Sequence, residues 1–237
     1  MPAIRSVIFD CYSTLIDIKT DESKKEVFDY LSLYLRYYGA SIGGVELKAS
    51  LEQEKKRYLK STTERYPEVD LEAVFRRLLS KAGLGNPFLA ESCCKLFRLL
   101  SRERFELYPD TLPVLQQMKR AGYALAVVSD AQRVFCLNEG EMLGINQFFD
   151  HMVLSTQFGF RKPDPRLFGI ACSLLGVPAA EAVYVGNDPD KDVEGAKRAG
   201  MKVVLVDRDH NAVDGEVKPD FRAHDLRQTW RWIQTSS

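Results

Sequence analysis

The segment VIFDCYSTL at residues 7–15 constrains the fold of this chain more than any other stretch. The apolar run from Ile4 to Phe9 is typical of a buried β-strand, and the carboxylate of Asp10 ends it. In open parallel α/β sheets, ligands bind at the carboxyl ends of the strands. The pattern therefore predicts that Asp10 stands at the ligand-binding edge of a sheet, although an isolated aspartate after a strand can equally cap a turn.

Three later segments carry polar groups that belong at the same edge. VVSD at residues 127–130 and VGNDPDKD at residues 185–192 each close an apolar run, and RKPDP at residues 161–165 precedes a predicted helix. Because parallel strands end at one edge of their sheet, we expect these segments to converge on Asp10. Each segment alone is a weak signal, but the Asp10 segment and these three, occurring together in this order, form a specific pattern.

Composition excludes several functional classes. The 237 residues suffice for a large core, and 33 basic residues balance 33 acidic ones, so no basic field indicates nucleic acid. No apolar run is long enough to span a bilayer, and no signal peptide precedes the first predicted strand. The five cysteines lack regular or CxxC spacing, which favours reduced thiols. We expect a cytoplasmic monomer or homodimer that binds a small-molecule substrate, with no nucleic-acid or membrane partner.

The two parts of the chain differ in periodicity. Predicted strands at 124–129, 151–155, 182–186, 202–206 and 220–223 alternate with helices, which indicates an α/β fold with a doubly wound parallel sheet. Residues 17–105 instead show four helical stripes and no strand pattern; Asp21 is expected to cap the first helix, and the second is expected to reach Arg65. We therefore predict a core of residues 1–16 plus 106–237 and an inserted α-helical cap domain of residues 17–105 that covers the site.

The four motifs resemble those of the haloacid dehalogenase superfamily of hydrolases, over nearly the whole chain. The resemblance implies a Rossmann-like core with a helical cap after the first strand. A carboxylate such as Asp10 can attack an electrophilic centre and form a covalent aspartyl intermediate. The resemblance implies that Lys162 contacts both this nucleophile and the transferred group, while Thr14 and Ser129 are expected to donate hydrogen bonds. The expected substrate-binding residues are Ser129, Asp130 and Lys162.

The loop that follows the predicted strand at 182–186 is acidic, and a helix is predicted from Asp190 to Ala199. Asp188, Asp190 and Asp192 lie within five residues, and such oxygen-rich clusters suit Mg²⁺, although acids also cap helix N-termini. In the resembling phosphatases the residue after the glycine is commonly a metal-binding aspartate, whereas here it is Asn187. The expected metal ligands are Asp10, the backbone carbonyl of Tyr12, Asn187, Asp188 and Asp192.

Tyr12 departs from the phosphatase pattern. Phosphatases of the superfamily normally carry a second aspartate there as general acid and base, and losing such a group typically costs ~10²–10⁴ in rate. A tyrosine with an ordinary pKa near ~10 is a poor base at neutral pH. The 2-haloacid dehalogenases of the superfamily have Asp-x-Tyr-Gly-Thr-Leu, close to residues 10–15, and a halide leaving group needs no proton. Their last motif resembles Ser-Asn-x-x-Asp without metal, and Arg36 is the candidate for their substrate-carboxylate arginine.

Three hypotheses follow from these motifs. The first is a Mg²⁺-dependent phosphatase of a small phosphorylated metabolite, with Tyr12 in place of the general acid. The second is a metal-independent 2-haloacid dehalogenase, which needs no cofactor. The third is a catalytically degenerate protein that binds a phosphorylated ligand. The acidic loop at residues 187–192 favours the phosphatase over the dehalogenase.

Overall fold

A computed structural model of the chain describes residues 3–86, 88–210, 213 and 215–236. The strands in these residues are β1 (Ser6–Phe9), β2 (Ile16–Thr20), β3 (Arg102–Leu107), β4 (Ala124–Ser129), β5 (His151–Leu154), β6 (Ala182–Gly186), β7 (Lys202–Val206) and β8 (Phe221–Ala223). The helices are α1 (Lys25–Tyr37), α2 (Gly44–Lys60), α3 (Leu71–Lys81), α4 (Leu89–Ser101), α5 (Thr111–Arg120), α6 (Arg133–Met142), α7 (Pro165–Leu175), α8 (Glu194–Arg198) and α9 (Leu226–Ser236). None of the helices so described is long and apolar enough to cross a membrane.

Six strands form one parallel sheet in the order β5-β4-β1-β6-β7-β8. The central strand β1 pairs with both β4 and β6, so that Phe9 lies beside Val127 and Val185. The order of the strands reverses across β1, and ligands of doubly wound sheets bind at such a switch point. The predicted doubly wound parallel sheet is confirmed, and its switch point lies directly before Asp10.

Both faces of this sheet are covered. Val7 and Phe9 belong to the apolar cluster that includes residues of α5 and α9, whereas Ile8 belongs to the cluster with residues of α7 and α8. Successive side chains of a strand point to opposite faces, and all three are fully buried. Burial on both faces explains why β1 is continuously apolar, and it holds the strand end rigidly in place.

Helices α1 to α4 surround a further hydrophobic cluster, which Phe135 of α6 joins. Its largest buried members from three of these helices are Phe28, Phe75 and Phe97, and Phe97 contacts the other two rings edge-on. The domain limits at 16/17 and 105/106 stay a prediction. The first limit lies within β2 and the second within β3, and these two strands pair with each other.

The expectation that residues 17–105 contain no strand is wrong. Ile16–Thr20 and Arg102–Leu107 form a two-stranded antiparallel sheet in which Ile16 pairs with Leu107. Residues 16–19 alternate apolar with charged side chains, a period of two that indicates a half-buried strand, whereas residues 102–107 alternate only from Arg104 to Leu107. Each segment is short and its partner lies far along the chain, so neither stands out from the helical sequence around it.

Three helix ends differ from the prediction. Asp21 does not cap α1, because its carboxylate accepts bonds from the backbone N–H and hydroxyl of Ser23 in a preceding turn. Helix α2 ends at Lys60, five residues before Arg65. The helix predicted to start at Asp190 begins with a wide π-type turn over Pro189–Val193 before α8.

Several contacts tie the helical block to the core. Arg98 of α4 donates two hydrogen bonds to the carboxylate of Glu139 in α6, at 2.8 and 3.0 Å. On the other side, residues 66–68 run beside residues 159–161, with backbone bonds from Glu68 to Gly159 and from Arg161 to Tyr66. These contacts fix the helices relative to the strand ends of the core.

Candidate active site

The C-terminal ends of β1, β4 and β6 surround one cavity of about 170 Å³. The convergence predicted from the sequence is found there. The predicted residues that line the cavity are Asp10, Tyr12, Ser129, Asp130, Lys162, Asn187, Asp188 and Asp192. Thr14 is not among the lining residues, and neither is Arg36, which is exposed on α1.

Asp10 is held by donors on one side. Its backbone N–H bonds the carbonyl of Val185, and its Oδ1 accepts from the hydroxyl of Ser129 at 2.9 Å and from Nζ of Lys162 at 2.8 Å. Both side-chain donors bond the same oxygen, Oδ1, and neither of them bonds Oδ2. Burial raises the pKa of Asp10 to about 6, against the positive charge of Lys162, and the negative charge of Asp192 adds to the rise.

Lys162 is already committed to two carboxylates. Its side chain is 4% exposed, and Nζ lies 2.8 Å from Asp10 Oδ1, 2.6 Å from Asp192 Oδ1 and 3.2 Å from the hydroxyl of Tyr184. Burial by itself lowers the pKa of Lys162, but the charges of Asp10 and Asp192 outweigh it and hold that pKa well above its usual range. The ammonium group therefore stays charged, and the carboxylates of Asp10 and Asp192 already neutralise that charge.

Asp192 is fully buried and accepts four hydrogen bonds. Oδ1 accepts from Lys162 and from the Tyr184 hydroxyl at 3.0 Å, while Oδ2 accepts from the backbone N–H groups of Asn187 and Asp188 at 2.9 and 3.0 Å. A Cβ atom at Gly186 would lie 2.3 Å from Oδ2, so only glycine lets the loop approach this carboxylate. Asp192 thus shapes the loop and holds Lys162 with all of its lone pairs in use.

Asn187 and Asp188 occupy the rest of the loop. The Thr14 hydroxyl, which is fully buried, donates to Oδ1 of Asn187 at 3.2 Å, so Thr14 contacts a cavity residue without lining the cavity. Asp188 Oδ1 accepts from the backbone N–H groups of Asp190 and Lys191, both at 3.0 Å. The sequence reasoning missed Lys191, whose Nζ lies 3.3 Å from Asp188 Oδ2 and which also lines the cavity.

Asp130 lies on the opposite wall. Its Oδ1 accepts from the backbone N–H of Lys162 at 2.9 Å, and its Oδ2 is buried without a hydrogen-bond partner in the described residues. Burial raises the pKa of Asp130, which the charge of Lys162 partly offsets. Asp130 therefore fixes the backbone that presents Lys162 and leaves one oxygen unpaired.

The hydroxyl of Tyr12 is committed to the seam between α4 and α6. It donates to Oε2 of Glu139 at 2.6 Å, and the guanidinium of Arg98 lies 5.0 Å from the centre of the Tyr12 ring. Burial raises the pKa of Tyr12 well above its usual range, and Glu139 adds to the rise, so the phenol stays protonated. Sequence reasoning missed Arg98 and Glu139, which lie far along the chain and match no motif.

The donor set fits Mg²⁺ better than it fits a preformed metal cluster. Throughout the described ranges, no group of three or more His, Cys, Asp or Glu side chains is placed to hold a metal ion. Mg²⁺ is usually held by one or two carboxylates together with waters and substrate phosphate, and Asp10 and Asp188 line the same cavity. Four carboxylates line it against two lysines, an excess of two negative charges, which attracts a divalent cation.

Comparisons with known proteins identify the family of the chain. The profile of the haloacid dehalogenase-like hydrolases matches residues 7–206. A phosphoserine phosphatase of Thermus thermophilus is 39% identical over 163 residues, which are 67% of this chain and 63% of that protein. The (S)-2-haloacid dehalogenase 4A of Burkholderia cepacia is 24% identical over 235 residues, 96% of this chain and 94% of that protein.

A solved structure gives the same fold. The crystal structure of a 2-haloacid dehalogenase from Pseudomonas syringae has a TM-score of 0.75 and 25% sequence identity, and the match covers 98% of both chains. The relatives carry phosphatase and dehalogenase names alike. With the profile match over most of its length, this chain belongs to the haloacid dehalogenase-like hydrolase family.

Proposed function

We propose that the chain is a Mg²⁺-dependent phosphatase of a small phosphorylated metabolite. The charge of the cavity carries this proposal: four carboxylates face two lysines, and Lys162 is neutralised by Asp10 and Asp192. A phosphate dianion would enter this site against net negative charge unless a cation entered with it. The expected ligands are Asp10, Asp188, Asn187 and the backbone carbonyl of Tyr12.

The nucleophile is Oδ2 of Asp10. It forms a bond to phosphorus while the bond from phosphorus to the substrate oxygen breaks, and water then hydrolyses the aspartyl phosphate. Ser129 and Lys162 fix Oδ1 and so orient Oδ2 toward the cavity. Bound Mg²⁺ would offset the charge of the phosphoryl oxygens.

Tyr12 restricts the leaving group. Its hydroxyl hydrogen bonds Glu139, so Tyr12 offers no proton to an alkoxide that departs from phosphorus. The leaving groups of aryl and acyl phosphates, an aryloxide and a carboxylate, are weakly basic anions that depart without such a proton. We therefore expect these substrates to be hydrolysed much faster than alkyl phosphates, by a factor in the range of ~10²–10⁴ that a general acid normally supplies.

The test is product release from two substrate panels. Aryl and acyl phosphates are assayed for phosphate and 2-chloropropionate for chloride, each with Mg²⁺ and with excess chelator, and Asp10→Asn serves as the control that keeps the fold. Phosphate release that stops on chelation and is lost in Asp10→Asn supports the proposal. Phosphate release that continues in Asp10→Asn would contradict the assignment of the nucleophile.

A second candidate is a metal-independent 2-haloacid dehalogenase. The observation that favours it is Tyr12, together with the resemblance to the Burkholderia dehalogenase over 96% of this chain. Oδ2 of Asp10 would then displace chloride from carbon to give an ester that water hydrolyses. Chloride release at the same rate with and without chelator would establish this alternative. Release of neither phosphate nor chloride would favour a protein that only binds its ligand.

A further inference from the structure

A second cavity lies outside the active site, along the seam between α4 and α6. It has a volume of about 280 Å³ and shares no lining residue with the cavity at Asp10. Its walls include the apolar side chains of Leu99, Val134, Phe135 and Met142, of which Leu99 is 59% and Met142 69% exposed. We propose that this groove binds a small amphipathic monoanion, a carboxylate on an apolar tail.

The anionic group is expected at Arg102, which also lines the groove. The Arg102 side chain is only 19% exposed, and its nearest carboxylate oxygen, Glu139 Oε1, lies 3.8 Å away, beyond hydrogen-bond distance. Its guanidinium lies against the ring of Phe105, with Cζ 4.1 Å from the ring centre. The charge of Arg102 is therefore only partly offset, by one carboxylate at 3.8 Å, and a ligand carboxylate at hydrogen-bond distance would add a closer acceptor.

The neighbouring charges are already paired. Glu139 accepts two bonds from Arg98 and one from Tyr12, so it has little capacity left for Arg102. Lys95 at the rim is bound to Glu91 at 2.6 Å. One positive charge is therefore left over, which matches a ligand with a single negative charge better than a phosphate dianion.

The volume sets the size of the apolar tail. At ~30 Å³ for each water-sized group, the groove holds about nine such groups. A medium-chain carboxylate such as octanoate has this size, with its head at Arg102 and its tail on the exposed faces of Leu99 and Met142. Both residues would then be covered, which accounts for large apolar side chains that otherwise face water.

The test is calorimetric titration of the intact protein with octanoate. We expect saturable binding at one site per chain, weakened at least about tenfold in Arg102→Gln, because a hydrogen bond to a charged group is lost. Met142→Glu places a negative charge at an exposed position and should weaken binding similarly. The matched control is Arg104→Gln on the same strand, whose arginine is 54% exposed, bound to Asp17 and outside the groove; its affinity should equal that of the wild type.

Several outcomes would overturn the proposal. They are the lack of saturable binding by octanoate, equal affinity of Arg102→Gln and wild type, and equal affinity for octanoate and octan-1-ol, which lacks the charge. Competition by saturating inorganic phosphate would place octanoate in the cavity at Asp10 and equally refute a separate groove. Thermal melting identifies variants that fail to fold, and if Arg102→Gln is one of them, Met142→Glu decides the question.

Discussion

Asp192→Asn tests whether the most buried acid of the site serves as a scaffold or as a metal ligand. The side chain of Asp192 accepts two bonds on each oxygen, from Lys162 and Tyr184 on one side and from two backbone N–H groups on the other. Asparagine keeps the shape but has one accepting oxygen and one amide nitrogen that only donates. If its oxygen keeps the backbone bonds, its NH₂ group faces the donors of Lys162 and Tyr184.

The size of the effect follows from these contacts. The variant loses the hydrogen bond that the Tyr184 hydroxyl donates to Asp192 and the ion pair of Asp192 with Lys162, while Lys162 keeps Asp10 as a partner. Breaking a buried ion pair costs ~3–5 kcal/mol when the remaining charge has no partner. Because Lys162 retains one carboxylate, we expect the lower end, a loss of about 3 kcal/mol in the free energy of unfolding. For a chain of this size that corresponds to a fall in Tm of ~6–12 °C.

The assay pairs urea unfolding with titration of Mg²⁺ against phosphatase activity. The matched control is Asp190→Asn, the same substitution at an exposed position two residues earlier, which should change stability by less than ~0.5 kcal/mol. A scaffold role predicts a large loss of stability, with a smaller rise in the Mg²⁺ concentration for half-maximal activity than Asp188→Asn produces. Wild-type stability combined with a tenfold or greater rise in that concentration would refute the reasoning and make Asp192 a ligand.

Four further predictions follow from single side chains. Tyr12→Asp should raise kcat for alkyl phosphates at least about tenfold and leave aryl phosphates nearly unchanged, because a missing proton donor limits only the former; equal rates would mean that another step is limiting. Asp10 should titrate at about 6 in carbon NMR of metal-free protein, since burial disfavours the charged form, and Mg²⁺ should lower that pKa; a metal-free value near the usual 3.8 would contradict the site geometry. Lys191→Met should lower the Mg²⁺ concentration for half-maximal activity by a factor of ~1.4–5, because an exposed ion pair with Asp188 worth ~0.2–1 kcal/mol no longer competes with the metal. Ser13→Gly should raise Tm by ~2–4 °C, because Ser13 has φ +62 in the left-handed region that glycine adopts more easily; Ser13→Ala, with the same strain, should show no gain.

The core could be predicted because its signals are local. The strand β1 is buried on both faces and therefore apolar throughout, and the polar residue that ends it marks the edge of the sheet. The same reasoning located Ser129 and the loop after β6. The strands β2 and β3 escaped prediction because each has only a few apolar residues and is stabilised by a partner far along the chain.

The residues that meet at the site could be predicted from the sequence, but the orientations of their side chains could not. Thr14 has a hydroxyl type suited to a phosphoryl group, yet tertiary packing buries it against Asn187. Lys191 stands in an acidic loop where charge alone suggests solvent, yet it lines the cavity. The orientation of a side chain depends on its tertiary neighbours, and the spacing of residues in a motif does not identify those neighbours.

Tyr12, which we propose stands in place of a general acid, also takes part in the attachment of the helical block. The Tyr12 hydroxyl and the Arg98 guanidinium both bond the carboxylate of Glu139, and Arg98 also lies over the Tyr12 ring. Tyr12, two positions after Asp10, therefore links the Asp10 loop to α4 and α6. An aspartate there is too short to make these contacts, although Glu139 would keep both bonds from Arg98. A gain of phosphatase activity in Tyr12→Asp should thus come with a lower free energy of unfolding, and Tyr12→Phe should lose stability without the gain, because only the former restores a proton donor.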